Sequence, residues 1–154
     1  VLLRAGDARH LELLSAVAEL ASPTGQWPEA VHPQTRGGCM GDGQHGWAAA
    51  EWVLALCHGC VREEGNTLVL GSGIDPAWLA HDTPLSLGPV ATRHGSVSVV
   101  IAGPAAAPRV SWQAQWHDAA PPLRLALPGF MPRDIPTAPA NGSHVFEEHA
   151  RCAS

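Results

Sequence analysis

The hydrophobic period of this chain changes near residue 66, and this change limits the fold more than any other feature. Apolar residues recur three and four positions apart in two segments, at about 8–21 and 44–62, which is the spacing of one helix face. Further on, Val97, Val99 and Ile101 alternate with Ser96, Ser98 and Val100, which is the period of a half-buried strand. We therefore predict an α+β chain in which a helical hairpin precedes a small antiparallel, β-sandwich-like unit.

Both helical segments carry boundary signals. Asp7 and Asp42 are N-cap candidates, and Gly65 is a candidate stop for the second helix. Two helices joined by a loop cannot bury two wide apolar faces, so we expect further helices to pack against them. The opening residues, Val1 to Arg4, lead directly into helical pattern without an initiator methionine. We expect the chain to be the C-terminal part of a longer protein.

Short strand-like segments follow the period change, separated by turns rich in glycine, proline and alanine. Trp112 and Trp116 share one face of such a segment. We expect both to be core residues, and the alternative is a carbohydrate-stacking pair. The candidate strands are 67–71, 96–101, 110–116 and 123–127.

These patterns divide the chain into three parts. Residues 1–65 hold the helices and the loop between them, and residues 66–130 form the β-unit. Residues 131–154 are rich in proline, alanine and polar residues, and we expect this tail to be poorly ordered.

The charge pattern argues against two classes of partner. The chain has nine arginines, no lysine and 14 acidic residues, for a formal net charge of −5 at pH 7. Without a basic patch, neither nucleic acid nor an anionic membrane surface is an expected partner. No apolar run approaches the roughly 20 residues of a membrane-spanning helix, and no secretory signal is present. These observations favour a cytoplasmic location.

The cysteines leave a metal hypothesis open. Cys57 and Cys60 have CxxC spacing, with Cys39 and His45 upstream, so a structural zinc site is an alternative. However, no second CxxC or HxxxH follows at zinc-finger distance, and a cysteine pair inside an apolar helix commonly packs as small hydrophobes. We therefore expect no metal ion and no cofactor.

The loop between the helices is the main functional candidate. Residues 22–43 contain eight glycines and prolines and show no periodicity, and ordered loops of this length tend to be functional. Glu29 lies there near Trp27 and His32. Indole rings stack on the apolar faces of sugars, and a carboxylate can activate water at the anomeric carbon. The loop favours carbohydrate chemistry, and the alternative is a polar loop in which Trp27 covers a core edge and Glu29 faces solvent.

Residues 25–64 resemble the last part of the catalytic barrel in six-hairpin, (α/α)6 glycoside hydrolases of the glucoamylase type. The debranching glucosidases and the α-L-rhamnosidases are similar through the opening of the second helix. The resemblance implies that the helices belong to an (α/α)6 toroid. It is carried by Gly25, Glu29, Thr35-Arg36-Gly37, Gly38-Cys39, His45 and Trp47-Ala48-Ala49-Ala50-Glu51-Trp52.

The resemblance also implies roles for single residues. Glu29 would be the general base of an inverting mechanism, opposite a general acid about 6.5–9.5 Å away. That acid would come from the missing N-terminal part of the barrel, which is the expected protein partner. Glu51 is expected to be a buried or interhelical hydrogen-bonding residue. The implied carbohydrate-binding residues are Trp27, His32, Asp42, Gln44, His45 and Trp47.

Two functions follow from this reasoning. The first is the C-terminal portion of a glycoside hydrolase, which would be inactive in isolation because its general acid lies elsewhere. The alternative is a non-catalytic carbohydrate-binding or structural module, in which tryptophan side chains bind glycan and Glu29 is incidental. Glycan binding that survives Glu29→Gln, without turnover, would favour the alternative.

Overall fold

Strands make up most of the regular structure of this chain. The computed structural model describes residues 1–41, 43–80 and 83–147. The chain divides into an N-terminal unit, Val1–Leu56, and a C-terminal unit, Cys57–Ser154. Within the described ranges there are two α-helices and ten strands in three sheets.

The N-terminal unit holds the helices and a very small sheet. The 3-10 helix Leu3–Ala5 precedes α1, Arg9–Glu19, and the short strands β1, Ala30–Val31, and β2, Gly38–Met40, follow it. The second helix, α2, is Gly46–Cys60, and its last turn belongs to the C-terminal unit.

Side chains cap the first turn of each helix. The Asp7 carboxylate accepts a hydrogen bond from the Arg9 backbone N–H at 3.0 Å, as expected of a capping residue. At α2 the cap is His45, whose Nδ1 accepts from the Ala48 N–H at 3.3 Å. The predicted cap, Asp42, lies outside the described residues. In the described part of the chain, neither helix is long and apolar enough to cross a bilayer.

The C-terminal unit contains two four-stranded sheets. One has the order β10-β7-β6-β5 and is antiparallel throughout, and the other has the order β3-β4-β8-β9. The strands are β3 Val61–Glu64, β4 Thr67–Leu70, β5 Leu85–Thr92, β6 Gly95–Ala102, β7 Arg109–Trp116, β8 Leu123–Leu125, β9 Arg133–Ile135 and β10 Asn141–Val145, with a 3-10 helix at Pro76–Ala80.

Alternation of apolar and polar residues sets which face of each strand is buried. In β6 the side chains of Val97, Val99 and Ile101 are buried, while Ser96 and Ser98 on the other face are partly exposed. The same alternation buries Val110 and Trp112 in β7, and Leu123 and Leu125 in β8. Both four-stranded sheets contribute to one hydrophobic core, which also includes Leu68, Leu70, Ile74, Phe130 and Phe146.

The strands predicted at 67–71, 96–101, 110–116 and 123–127 are confirmed within a few residues. Trp112 is a core residue, 4% exposed, as expected. The prediction that the β-unit is antiparallel was wrong for one sheet, since β4 pairs with β8 in parallel. Parallel neighbours need a long connection, and the segment from β5 to β7 supplies it.

The prediction of a helical hairpin belonging to an (α/α)6 toroid is wrong. The described residues form a small, mostly β protein with two helices, and α1 and α2 do not pack along each other as a helical hairpin does. The physical reason is that residues 22–45 do not form a tight turn. They form a folded segment with its own β1–β2 pairing, which separates the two helices.

The two compact units divide after Leu56, and β3 and β4 pair within the C-terminal unit. The three-part division at residues 65 and 130 stays a prediction. Residues 133–135 and 141–145 of the predicted tail form β9 and β10, which complete one edge of each large sheet. These strands are three and five residues long and rich in polar side chains, so they leave no clear periodic signal.

Candidate functional site

The loop between the helices is a small antiparallel hairpin. The Glu29 backbone N–H donates to the Met40 carbonyl at 3.2 Å, and the His32 N–H donates to the Gly37 carbonyl at 2.8 Å. The His32 side chain helps to form the turn, because its Nδ1 accepts from the backbone N–H of Gln34 and Thr35. The exposed His32 ring is therefore oriented by the turn that it stabilises.

Glu29 lies at the start of this hairpin, immediately before β1. Its side chain is exposed, and it makes no side-chain hydrogen bond or ion pair within residues 1–41, 43–80 and 83–147. Gly41 lies beside it, since a Cβ built on Gly41 would be 3.7–3.8 Å from the Glu29 backbone N and Cβ. Its role as a general base remains a prediction.

Trp27 connects the parts of the N-terminal unit. Its side chain is only 8% exposed, and its indole N–H donates to the Val17 carbonyl of α1 at 2.8 Å. Its ring lies 5.5 Å from the ring of Trp52 in α2, and its carbonyl accepts from the His45 N–H at 2.8 Å. Contact of Trp27 with a sugar stays a prediction. The contacts that the structure shows join this side chain to both helices.

Trp47 presents the opposite situation at the first turn of α2. Its side chain is 71% exposed, and its indole N–H donates to Oε1 of Glu51 at 3.2 Å. The ring of His45 lies 6.4 Å from the indole, with 34° between the two planes. We call Trp47, His45 and Glu51 the indole platform. It combines an exposed aromatic face with two polar side chains that are already oriented.

The platform offers both donors and acceptors beside the ring. Because Nδ1 of His45 accepts the capping bond, the neutral imidazole carries its hydrogen on Nε2, which is then a donor. The Glu51 carboxylate uses one oxygen for the indole N–H and can accept with the other. Gln44, two residues before α2, is also exposed, and Asp42 lies outside the described residues.

The two helices keep part of their apolar surface exposed. Five large apolar side chains are exposed on them, namely Leu13 and Val17 of α1 and Trp47, Val53 and Leu54 of α2.

The cysteine pair is poorly suited to redox chemistry. Burial, with a smaller contribution from Cys57, raises the pKa of the Cys60 thiol above its ordinary value, which disfavours the nucleophilic thiolate. Among the described residues, no three His, Cys, Asp or Glu side chains converge as a metal-binding group.

Comparison with known proteins finds no relative: no family model, no curated protein and no solved structure matches this chain. Glycoside hydrolysis as an activity stays a prediction, whereas the identification of the chain as part of a six-hairpin (α/α)6-barrel glycoside hydrolase is wrong, because the described residues form a mostly β protein with two helices. The residues that carried it form a two-stranded hairpin and the start of one helix in a mostly β protein. Short runs of glycine, acidic and aromatic residues satisfy that loop pattern without the barrel around them.

Sequence reasoning misjudged Glu51, which was expected to be buried or interhelical. Its carboxylate is exposed and holds the Trp47 indole through a contact between residues four apart on the helix. That spacing places two side chains on one face and was visible in the sequence. The spacing of four residues therefore indicates that Trp47 and Glu51 can be in contact. It does not show whether other residues cover that face of the helix.

Proposed function

We propose that this chain is a non-catalytic carbohydrate-binding module and that the indole platform contacts the glycan. The observation that carries the proposal is the exposure of Trp47. An indole that is 71% exposed while its N–H is bonded within the protein leaves an apolar ring face open to a ligand. Exposed aromatic side chains held in this way are typical of surfaces that bind a partner.

Sugar chemistry fits the platform. One face of a pyranose ring presents C–H groups and can lie on the indole, while the equatorial hydroxyls point outward to polar neighbours. Those neighbours are the free oxygen of Glu51 and the Nε2–H of His45. A planar surface that is fixed before binding reduces the conformational entropy lost on association.

The charge of the chain favours a neutral glycan. The formal net charge is −5 and there is no lysine, so a polyanionic glycan would be repelled. Glu51 adds a negative charge within the platform itself. We therefore expect neutral hexose chains to bind and chains carrying sulfate or uronate groups to bind less tightly.

Replacing Trp47 with alanine tests the proposal. We expect the affinity for a neutral oligosaccharide to fall about 10- to 100-fold, since burying an aromatic face contributes about 1.5–3 kcal/mol. Titration calorimetry with maltoheptaose, cellohexaose and mannohexaose measures it. The matched control is Val53→Ala, which removes an exposed apolar side chain from the same helix. Equal affinities of native protein and Trp47→Ala, or no binding of any of the three glycans, would contradict the proposal.

The same glycans distinguish binding from catalysis. We expect the native chain to release no reducing ends and Glu29→Gln to bind with native affinity, because Glu29 is not part of the platform. Hydrolysis by the native chain that Glu29→Gln abolishes would overturn the non-catalytic assignment and give Glu29 the role of a base.

A further inference from the structure

The outer face of the sheet β10-β7-β6-β5 carries an unusual set of side chains. Cross-strand pairs there join Ser96 with Gln115, Ser98 with Gln113, and Val100 with Ser111, and Asn141 pairs with Gln113 on the other side. Each of these side chains is uncharged. We call this surface the neutral groove, defined by Ser96, Ser98, Ser111, Gln113, Gln115 and Asn141.

The neutral groove has the volume of a ligand site. One cavity of about 530 Å³ and another of about 330 Å³ share Ser98, Gln113 and Asn141, so they form one continuous depression across the strands. Pro89 lines one side, where β5 has an irregularity between Leu87 and Val90. Small-molecule sites in proteins typically measure about 300–1,000 Å³.

The polar groups of the groove are not used by the protein itself. In the part of the chain that the structure describes, none of the six side chains that define the groove makes a hydrogen bond. Their hydroxyl and amide groups can each donate and accept. These hydroxyl and amide groups therefore form a row of hydrogen-bond donors and acceptors that is open to solvent.

The outer face of the other four-stranded sheet, β3-β4-β8-β9, carries charged side chains. There the exposed side chains of Arg124 and Asp134 form an ion pair at 3.2 Å. That sheet therefore pairs charged side chains across its strands, whereas the side chains that define the neutral groove are all uncharged. Contact with solvent alone does not require one sheet to carry charged pairs and the other to carry uncharged side chains at the groove.

We infer that the neutral groove is a second binding site and that it takes a neutral polyhydroxylated chain, namely a glycan. A nucleic acid or acidic peptide needs cations, and no charged residue lines either cavity. A peptide added as a strand needs an open sheet edge, whereas β6 and β7 have neighbours on both sides. Hydroxyls and amides match sugar hydroxyls, and Val100, which is 37% exposed, offers an apolar contact for a pyranose ring.

The site lies on the C-terminal unit, and its contacts do not depend on the indole platform. It takes the same ligand class as the proposed function, so the experiment must separate the two sites. The Trp47→Ala protein provides this separation, because it removes the indole and leaves the groove unchanged.

The test compares Trp47→Ala with Trp47→Ala/Gln113→Leu/Gln115→Leu by titration with maltoheptaose, cellohexaose and mannohexaose. Leucine keeps much of the volume of glutamine and removes its donors and acceptors. We expect Trp47→Ala to retain measurable affinity for at least one glycan, and the triple variant to bind that glycan about tenfold more weakly. Thr67→Val in the same background is the control, since it removes a hydroxyl from the outer face of the other sheet.

A second measurement does not depend on how the variants fold. The side-chain amide resonances of Gln113, Gln115 and Asn141 in the native protein should shift during the titration, while the amide resonances of Gln34 stay in place. No residual binding by Trp47→Ala, or a titration that leaves the groove amides unmoved, would overturn the inference. Groove shifts with an unmoved Trp47 resonance would support the groove and contradict the indole platform.

Discussion

Replacing Trp112 with alanine is expected to lower the free energy of unfolding by about 3–5 kcal/mol. The Trp112 side chain is 4% exposed in the core that both large sheets share. Its indole N–H donates to the Pro139 carbonyl at 3.0 Å, and its ring lies over Gly142 of β10. Alanine would leave a cavity and also remove the donor to that carbonyl. Urea unfolding followed by circular dichroism measures the loss.

Two other tryptophan variants serve as controls for Trp112→Ala. Trp112→Phe keeps a ring and loses the N–H, so we expect a smaller loss of about 1–3 kcal/mol. Trp47→Ala removes an exposed side chain, so its stability should stay within about 0.5 kcal/mol of the native value. If Trp112→Ala were no less stable than Trp47→Ala, the shared core described here would be wrong.

Replacing Gly95 with alanine should be nearly as damaging, with a loss of about 2–5 kcal/mol. Gly95 has φ +136°, a conformation that residues with a Cβ rarely adopt. A Cβ at this position would also lie 2.0 Å from the Gln115 carbonyl oxygen, so β6 and β7 would have to move apart. The midpoint of urea unfolding reports this loss.

Gly103→Ala separates the two causes of that loss. Gly103 also has a positive φ, +101°, but the nearest atom to an added Cβ is the Ala107 carbonyl oxygen at 3.4 Å. Gly103→Ala therefore keeps the backbone strain and lacks the severe overlap. We expect Gly95→Ala to be less stable than Gly103→Ala by about 1–3 kcal/mol. Equal losses would contradict the close β6–β7 approach at Gly95.

The strands of the C-terminal unit were predictable because alternation is a local signal. Val97, Val99 and Ile101 repeat every second residue, and this fixes both the strand and its buried face. The two helices were predictable for the same reason, since their apolar residues repeat at helical spacing.

The pairing of the strands and the residues that pack against the helices were not predictable, because both depend on residues that are distant in the sequence. Nothing local in Leu68 or Leu123 shows that β4 and β8 pair in parallel, since the segment between them contains three other strands. An amphipathic helix likewise shows that an apolar face exists, and says nothing of what covers it. The error in the helical toroid arose at this step, where a plausible partner was inferred for two correctly predicted helices.

Two tryptophans of the candidate site show the same limit of local sequence patterns. The sequence identified Trp27 and Trp47 as equivalent candidates within one motif. The two side chains differ in the structure, because the Trp27 indole is bonded to the Val17 carbonyl and lies against Trp52, while the exposed Trp47 indole is bonded to Glu51 and lies near His45. Burial of a tryptophan depends on contacts ten or more residues away, which its immediate neighbours in sequence do not show.

Neutral-glycan binding at an exposed indole is tested most directly through the tryptophan side chains themselves. In a ¹H–¹⁵N spectrum each indole N–H gives its own resonance, and alanine variants assign them. On titration with the oligosaccharide of highest affinity, the Trp47 resonance should shift to saturation, while that of Trp27, whose N–H is bonded to the Val17 carbonyl, should not move. A Trp47 resonance that stays in place at saturating glycan would contradict the account.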